Sequence, residues 1–255
     1  MKLISFDLKA DFAFFRIPDT NATINLSYNI IHRPAVLGVL GAILGLDGYK
    51  EKGKLPQYYE VLKDVRIGVE PLNHDKGNYT KTNIKYSNTV GYANKGTNFL
   101  TEELTLVKPE YRIYLLLDED NGYQKQLLDN IRDGCAEFIP YLGKNEFTAW
   151  WTTNSYKEYH FSDEKEPIGS IKIKTIFQKD IALKNNVEAP FPDLLNFDNA
   201  ESPFIYFERL PKDFDLSLMQ YDLGEFAFSN YQIKNAQTLK NLFFVEELDA
   251  YVQFF

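Results

Sequence analysis

The stretch from Lys76 to Thr101, KGNYTKTNIKYSNTVGYANKGTNFLT, carries four lysines (Lys76, Lys81, Lys85, Lys95) and no aspartate or glutamate. Tyr79, Tyr86, Tyr92 and Phe99 fall between or just after the lysines, with Asn, Thr and Gly in the gaps. Ammonium groups neutralise phosphates and ring faces stack on bases, so this alternation suits single-stranded nucleic acid. If all four lysines met phosphates, they would contribute about −3 to the log–log salt slope, at ~0.7 per contact. The same composition also describes a solvated polar loop, so the rest of the chain must decide.

Candidates for catalysis are few. His32 stands beside Arg33, with Tyr28 just upstream. Such a set could serve metal-independent RNA cleavage, in which a base activates the 2′-hydroxyl and an acid protonates the leaving oxygen. A His–Arg pair ahead of a helix is equally a phosphate contact or a surface pair. GYKEKGK, residues 48–54, has P-loop spacing, but Leu55 stands where Ser or Thr must reach magnesium. Asp118, Glu119 and Asp120 follow a strand, where a palm-type polymerase keeps metal ligands, but no second carboxylate pair accompanies them. They also fail as a calcium loop, because Tyr123 occupies the glycine position. Cys135 reads as a buried thiol on the apolar side of a helix. The residues call for no metal and no cofactor, and the thin chemistry favours binding.

Charge narrows the partner. The chain has 255 residues, 28 Lys+Arg against 36 Asp+Glu, and a formal net charge of −8. Residues 1–149 hold 18 basic and 19 acidic side chains, whereas residues 150–255 hold 10 and 17. One half can meet a polyanion while the other repels it, as suits a subunit with nucleic acid on one side and proteins on the other. A hydrophobic content of 44% with 15% aromatics places the chain among globular proteins. The single cysteine excludes an internal disulfide and fits a reducing compartment. Strand-like alternation begins at Lys2, and the apolar run Ala35–Leu46 is too short to span a bilayer, so a cytoplasmic protein without membrane contact is expected.

The elements that must position these residues follow from periodicity. Every even residue from Ile4 to Phe14 is apolar, which predicts a half-buried strand, bent or interrupted late. Pro34 suits the first turn of a helix over Ala35–Leu46, where Gly38, Gly41 and Gly45 are expected to line a face packed on the sheet. Val65–Val69 and Tyr111–Leu117 read as strands, and a helix is expected from about Tyr123 to Phe138. A fourth strand runs through Phe147–Trp151. The order β-α-β-β-α-β predicts an α+β fold with a ferredoxin-like, RRM-like palm. The Lys-rich segment falls between the second and third strands, where it reads as a long inserted β-hairpin thumb over about residues 73–109. The palm with its thumb is expected over residues 1–156. A β-rich region follows over 157–255, with strand candidates at Ser170–Phe177, Phe204–Glu208 and Leu223–Phe228.

Against this order, specific motifs stand out. A first strand continuing into Phe14–Phe15–Arg16, then Ser27–Tyr28 and Arg33–Pro34 leading into LGVLGAILG (Leu37–Gly45), resembles the opening of the CRISPR-associated RAMP subunit called Cas-five. YLGKNEF (Tyr141–Phe147) resembles that family's Tyr-Leu-Gly-x-x-Glu-Phe motif, and Glu208–Arg209–Leu210–Pro211 its late Arg-x-Pro pattern. The resemblance covers essentially the whole chain and is nearest the type I-B branch. It implies a palm-and-thumb RNA-binding protein of the Cascade surveillance complex in antiviral defence. Such a subunit caps the 5′ handle of CRISPR RNA and touches the backbone RAMP subunit and the large subunit, with target DNA beside the protospacer-adjacent motif as a further contact. On this reading Arg16, Arg33 and Lys144 hold phosphates, and Tyr141 and the backbone around Gly143 brace the handle. Lys76, Lys81, Lys85 and Lys95 then grip the strand with Tyr79 or Tyr86 stacking. One branch of the family cuts precursor RNA with a Tyr/Lys/His set, for which Tyr28, Lys144 and His32 are the candidates here. A non-enzymatic role is expected, with metal-independent endoribonuclease as the alternative and a protein-only assembly module as a further one.

Overall fold

The computed structural model of the chain describes residues 1–18, 23–87, 100–162, 169–178, 195–196, 202–234, 236 and 239–255. The alternation at the N-terminus produces a strand over Lys2–Ala10, which ends at the exposed Asp11 and resumes in short pieces at Phe12–Ala13 and Phe15–Arg16. It pairs antiparallel with Glu110–Leu117 on one side, Lys2 opposite Leu117 and Lys9 opposite Glu110. On its other side lie Lys157–Tyr159 and Ala149–Trp150, and Arg66–Leu72 pairs with the far edge of Glu110–Leu117. In chain order the sheet therefore runs fourth, first, third, second, antiparallel throughout. The expected fourth strand is split by a 3-10 turn over Thr153–Ser155.

Among the described residues three α-helices accompany the sheet: α1 (Arg33–Leu44), α2 (Gln57–Leu62) and α3 (Gly122–Asp133). His32 caps α1 by accepting from the Ala35 N–H, Pro34 opens its first turn, and Gly45 closes it in the left-handed conformation. The α1 glycines do not pack on the sheet as their spacing predicts. Gly41 meets Tyr58 of α2, Gly38 faces open space and Gly45 lies against Glu137, while Val36, Leu37, Leu40 and Ile43 are fully covered. Helix α3 stops at Asp133 rather than Phe138, because Gly134 takes the left-handed C-cap. Cys135 consequently lies outside the helix and is exposed, which corrects its reading as a buried thiol.

Both faces of the sheet are covered. On the helix side Ile4, Phe6, Leu8, Ile113, Leu115 and Ile67 share one core with α1 and α3, and Leu210, Phe226 and Phe228 from the C-terminal region join it. On the opposite side Leu3, Tyr114 and Leu116 pack against Tyr159, Phe243, Val252 and Phe254. The inserted segment forms an antiparallel hairpin stem of Lys81–Ser87 and Leu100–Val107, tied to the N-terminal strand's continuation at Phe12–Ala13. The expected C-terminal strands appear as the long hairpin Ile205–Asp215 and Gln220–Ser229. Ser170–Phe177 keeps its alternation as burial but not as a ladder. Ile171 bridges Ile233, Ile173 bridges Tyr251, and only Phe177–Gln178 forms a strand. A further hairpin, Leu242–Val245 with Ala250–Gln253, was not legible in the alternation. Among the described residues no helix is long and apolar enough to cross a membrane.

Candidate nucleic-acid interface

The first element of the site is a floor of small side chains. Ala35, Gly38 and Ala42 on the outer side of α1 line a cleft of about 830 Å³, and nothing lies within 4 Å of where a Gly38 Cβ would stand. One wall is Phe14–Arg16 with Tyr141, Gly143 and Lys144; the other is Tyr58 and Tyr59 of α2 with Phe214 and Tyr221 of the C-terminal hairpin. Exposed Tyr49, Phe138 and Ile139 stand at its rim. Ring faces in this number bind flat apolar groups, and unstacked bases are such groups.

The wall at 141–144 is fixed by backbone geometry. Gly143 adopts φ +87°, and a Cβ there would lie 1.9 Å from the Phe14 carbonyl oxygen. The Phe14 N–H donates to the Leu142 carbonyl at 3.1 Å, and Leu142 is fully buried. Only glycine lets the loop lie flush against the strand that carries Arg16. Lys144 follows immediately. Its ammonium sits 2.7 Å from Glu103 and 3.2 Å from Glu146, and 4.1 Å from the centre of the Tyr86 ring. Partial burial alone would lower the Lys144 pKa, but Glu103, Tyr86 and Glu146 outweigh it and hold the side chain firmly protonated. Arg16 is exposed at the mouth and has no ion-pair partner among the described residues. The structure therefore brings Arg16, Tyr141, Gly143, Lys144 and Tyr86 to one place.

Other expected contacts lie elsewhere. Arg33 is buried, and its guanidinium donates to the Phe255 carbonyl at 3.2 Å and to the Lys63 carbonyl, so it holds the chain together rather than facing the cleft. Tyr79 is buried in the core. Its hydroxyl donates to the Glu110 carbonyl and accepts from the Leu72 N–H, and its ring lies 5.3 Å from Tyr111. No face of that ring is free for a base. Lys76 and Lys81 are exposed. Lys85 is 2.9 Å from Glu102 on the facing strand. Hydrogen bonds from Asn83 and Lys85 hold the Glu102 carboxyl below its ordinary pKa. Lys95, with Tyr92 and Phe99, lies outside the described residues.

Tyr28 and His32 are neighbours, their rings 5.5 Å apart, and both are buried. Burial pushes the His32 pKa down to about 3, and its Nδ1 accepts the Ala35 N–H. His32 is thus a neutral helix cap at physiological pH. No cluster of three His, Cys, Asp or Glu that could hold a metal occurs among the described residues. The sheet face that an RRM would offer to bases is filled by the Phe243, Val252 and Phe254 side.

Two residues not expected at the site, Asn29 and Glu208, tie the root of the hairpin stem to the sheet. Asn29 is fully buried: its Oδ1 accepts from the Tyr79 N–H, its Nδ2 donates to the Gly77 carbonyl, and its own carbonyl accepts from the Tyr111 hydroxyl. The Asn29 and Ile30 N–H groups donate to the two carboxylate oxygens of Glu208, at 2.7 and 3.0 Å. Burial pushes the Glu208 pKa up to about 7 despite those hydrogen bonds. The sequence signals for this clasp are a lone Asn amid Tyr28, Ile30 and Ile31, and Glu208 at the head of the Glu208–Pro211 motif.

No protein-family model and no curated protein matches the sequence. Solved structures do match the fold. A CRISPR protein from Archaeoglobus fulgidus is 14% identical, with 99% of this chain and 98% of that chain covered and a TM-score of 0.50. A chain of a type III-B Cmr-beta complex, bound to cognate target RNA and AMPPnP, is 12% identical, with 92% and 86% covered and a TM-score of 0.50. At such identities the likeness is one of fold alone.

Proposed function

We propose that the chain is a CRISPR RNA-binding subunit that caps the 5′ handle in a type I Cascade-like complex, with the α1 cleft as its grip. The sheet order, read with its two crossing helices, is taken as a ferredoxin-like palm, and the 81–107 hairpin as its thumb. The carrying observation is the juxtaposition of nine Phe and Tyr side chains with Arg16 and Lys144 in one cleft at the thumb root. In this reading bases of the handle enter against Tyr58, Tyr141 and Tyr221, and Arg16 meets a phosphate at the mouth. The Cas-five-like motifs Phe14–Arg16 and Tyr141–Phe147 form the same wall, which supports the family reading, and the type I-B assignment rests on those motifs. Contacts with backbone and large subunits fall to the acidic C-terminal half.

The role is a binding one. A catalytic base or acid works best with a pKa near the operating pH, whereas His32 is held neutral at about 3 as a cap. The test is binding of an oligonucleotide carrying the 5′ repeat-derived handle. Arg16→Glu with Tyr141→Ala should weaken it about thirtyfold, with no comparable loss for the same oligonucleotide blocked by a duplex. Specific cleavage of repeat RNA in EDTA, abolished by His32→Ala, would establish the nuclease instead.

A further inference from the structure

We propose that the turn at the end of the C-terminal hairpin, residues 216–219, is a docking knob for another protein subunit, one that presents an apolar pocket rimmed by lysine and arginine. Leu216, Leu218 and Met219 are 39, 63 and 54% exposed, three large apolar side chains on one four-residue turn. The turn is not slack. Asp215 Oδ1 accepts from the Ser217 N–H at 2.8 Å, the Ser217 hydroxyl at 2.6 Å and the Leu218 N–H at 3.1 Å. Its root is anchored as well, because the Tyr59 hydroxyl of α2 donates to Asp213 and accepts from the Phe214 N–H at 3.1 Å. Met219 adopts φ +52°, a left-handed conformation that costs a non-glycine residue energy. A chain that spends hydrogen bonds and strain to hold three apolar groups in water has preorganised them for a partner.

Charge chooses the class of partner. Around the turn Asp213, Asp215 and Asp222 outnumber Lys212, which is paired with Asp222 at 3.2 Å. The net negative charge at this tip disfavours a nucleic acid there, and a basic rim would complement the net charge of Asp213, Asp215 and Asp222. Addition of a partner strand to the Ile205–Asp215 edge is disfavoured by Pro211 and by the register shift between Pro211 and Asp213. The tip is left as the contact.

The inference rests on the reading of the chain as a subunit of a complex, and its test separates the two. The wild type and the Leu218→Asp/Met219→Asp variant are each co-expressed with the other protein subunits of the complex and CRISPR RNA. The isolated proteins are assayed for melting temperature and handle-RNA binding. The expected result is unchanged melting and RNA binding with at least about a tenfold loss of co-purifying subunits, since truncated anchors dominate interface energy. Asp222→Lys should weaken co-purification about threefold in low salt and less at high salt. Equal incorporation of Leu218→Asp/Met219→Asp and wild type overturns the knob. A wild type that sediments as a dimer, which the same variant makes monomeric, overturns the choice of occupant in favour of a second copy. A wild type that joins the complex but ignores the handle RNA overturns the capping reading alone, and one that joins no complex overturns both.

Discussion

The α1 cleft and the 81–107 stem both carry lysines and tyrosines, yet they are built in opposite ways. The cleft draws its walls from residues as distant in sequence as Arg16, Tyr58, Lys144 and Tyr221, and it is held by buried contacts at Gly143 and Leu142. The stem takes its lysines from one acid-free run, but the facing strand supplies Glu102 to Lys85, and Glu103 to Lys144. Freedom from acids along the chain does not mean freedom from acids in space. A phosphate approaching Lys85 must displace a carboxylate, whereas Arg16 is exposed and makes no ion pair among the described residues.

The largest effect should come from breaking the cleft at its glycine. Gly143→Ala places a methyl group 1.9 Å from the Phe14 carbonyl, and φ +87° is strained for alanine besides. A loss of about 3 kcal/mol in unfolding free energy, measured in urea, is expected. The same substitution at Gly38, where nothing lies within 4 Å, should leave stability within about 0.5 kcal/mol or raise it, because alanine favours the helix. If both changes behave alike, the cleft is not the rigid partner in the comparison.

Next comes the clasp that joins the two regions. Asn29→Ala leaves the Tyr79 N–H and the Gly77 carbonyl without partners in a buried site. About 2 kcal/mol of stability should be lost, with proteolysis of the thumb root speeding up before global unfolding. A uniform loss with no local opening would mean that Asn29 supports the core at large and does not join thumb to palm.

Glu208 makes the clasp sensitive to pH. Its carboxyl, ordinarily near 4.5, is pushed up to about 7 in the fold. Between those values the native state holds a proton that the unfolded chain has shed, so the contribution to stability falls as pH rises through that window. Differential melting of wild type and Glu208→Gln between pH 5 and pH 8 should show wild type losing relative stability towards pH 8. A constant difference would place Glu208 with the ordinary carboxylates.

Much of the fold could be read from periodicity, because the palm strands alternate and each ends at a distinct signal. Asp11 ends the first and Gly134 the third helix, and reading that helix through Gly134 is what misplaced Cys135. Tyr79 was misjudged for a similar reason: its neighbours are polar, but the turn Asp75–Asn78 aims it inward, where Tyr111 and Glu110 receive it. Half of the cleft was legible. Arg16, Tyr141, Gly143 and Lys144 lie in motifs, and a tight loop on a strand brings them together. The other wall was not, since nothing local says that Tyr58 and Tyr221, far apart in sequence, stand across from them.

The smallest effect should decide whether the stem touches RNA at all. If Lys85 is held back by Glu102, then Glu102→Gln releases its ammonium while adding no cation. Handle RNA should then bind about two- to threefold tighter in low salt, and the log–log salt slope should steepen by about 0.7, one phosphate contact on a single strand. Lys81→Gln should move the slope the other way by a similar amount, because Lys81 is exposed and makes no ion pair among the described residues. Glu102→Gln with an unchanged slope would confine the RNA to the cleft and leave the stem as a lever that positions Tyr86 over Lys144. Because Lys144 also binds Glu103, that outcome would further predict that Glu103→Gln, and not Glu102→Gln, tightens RNA binding.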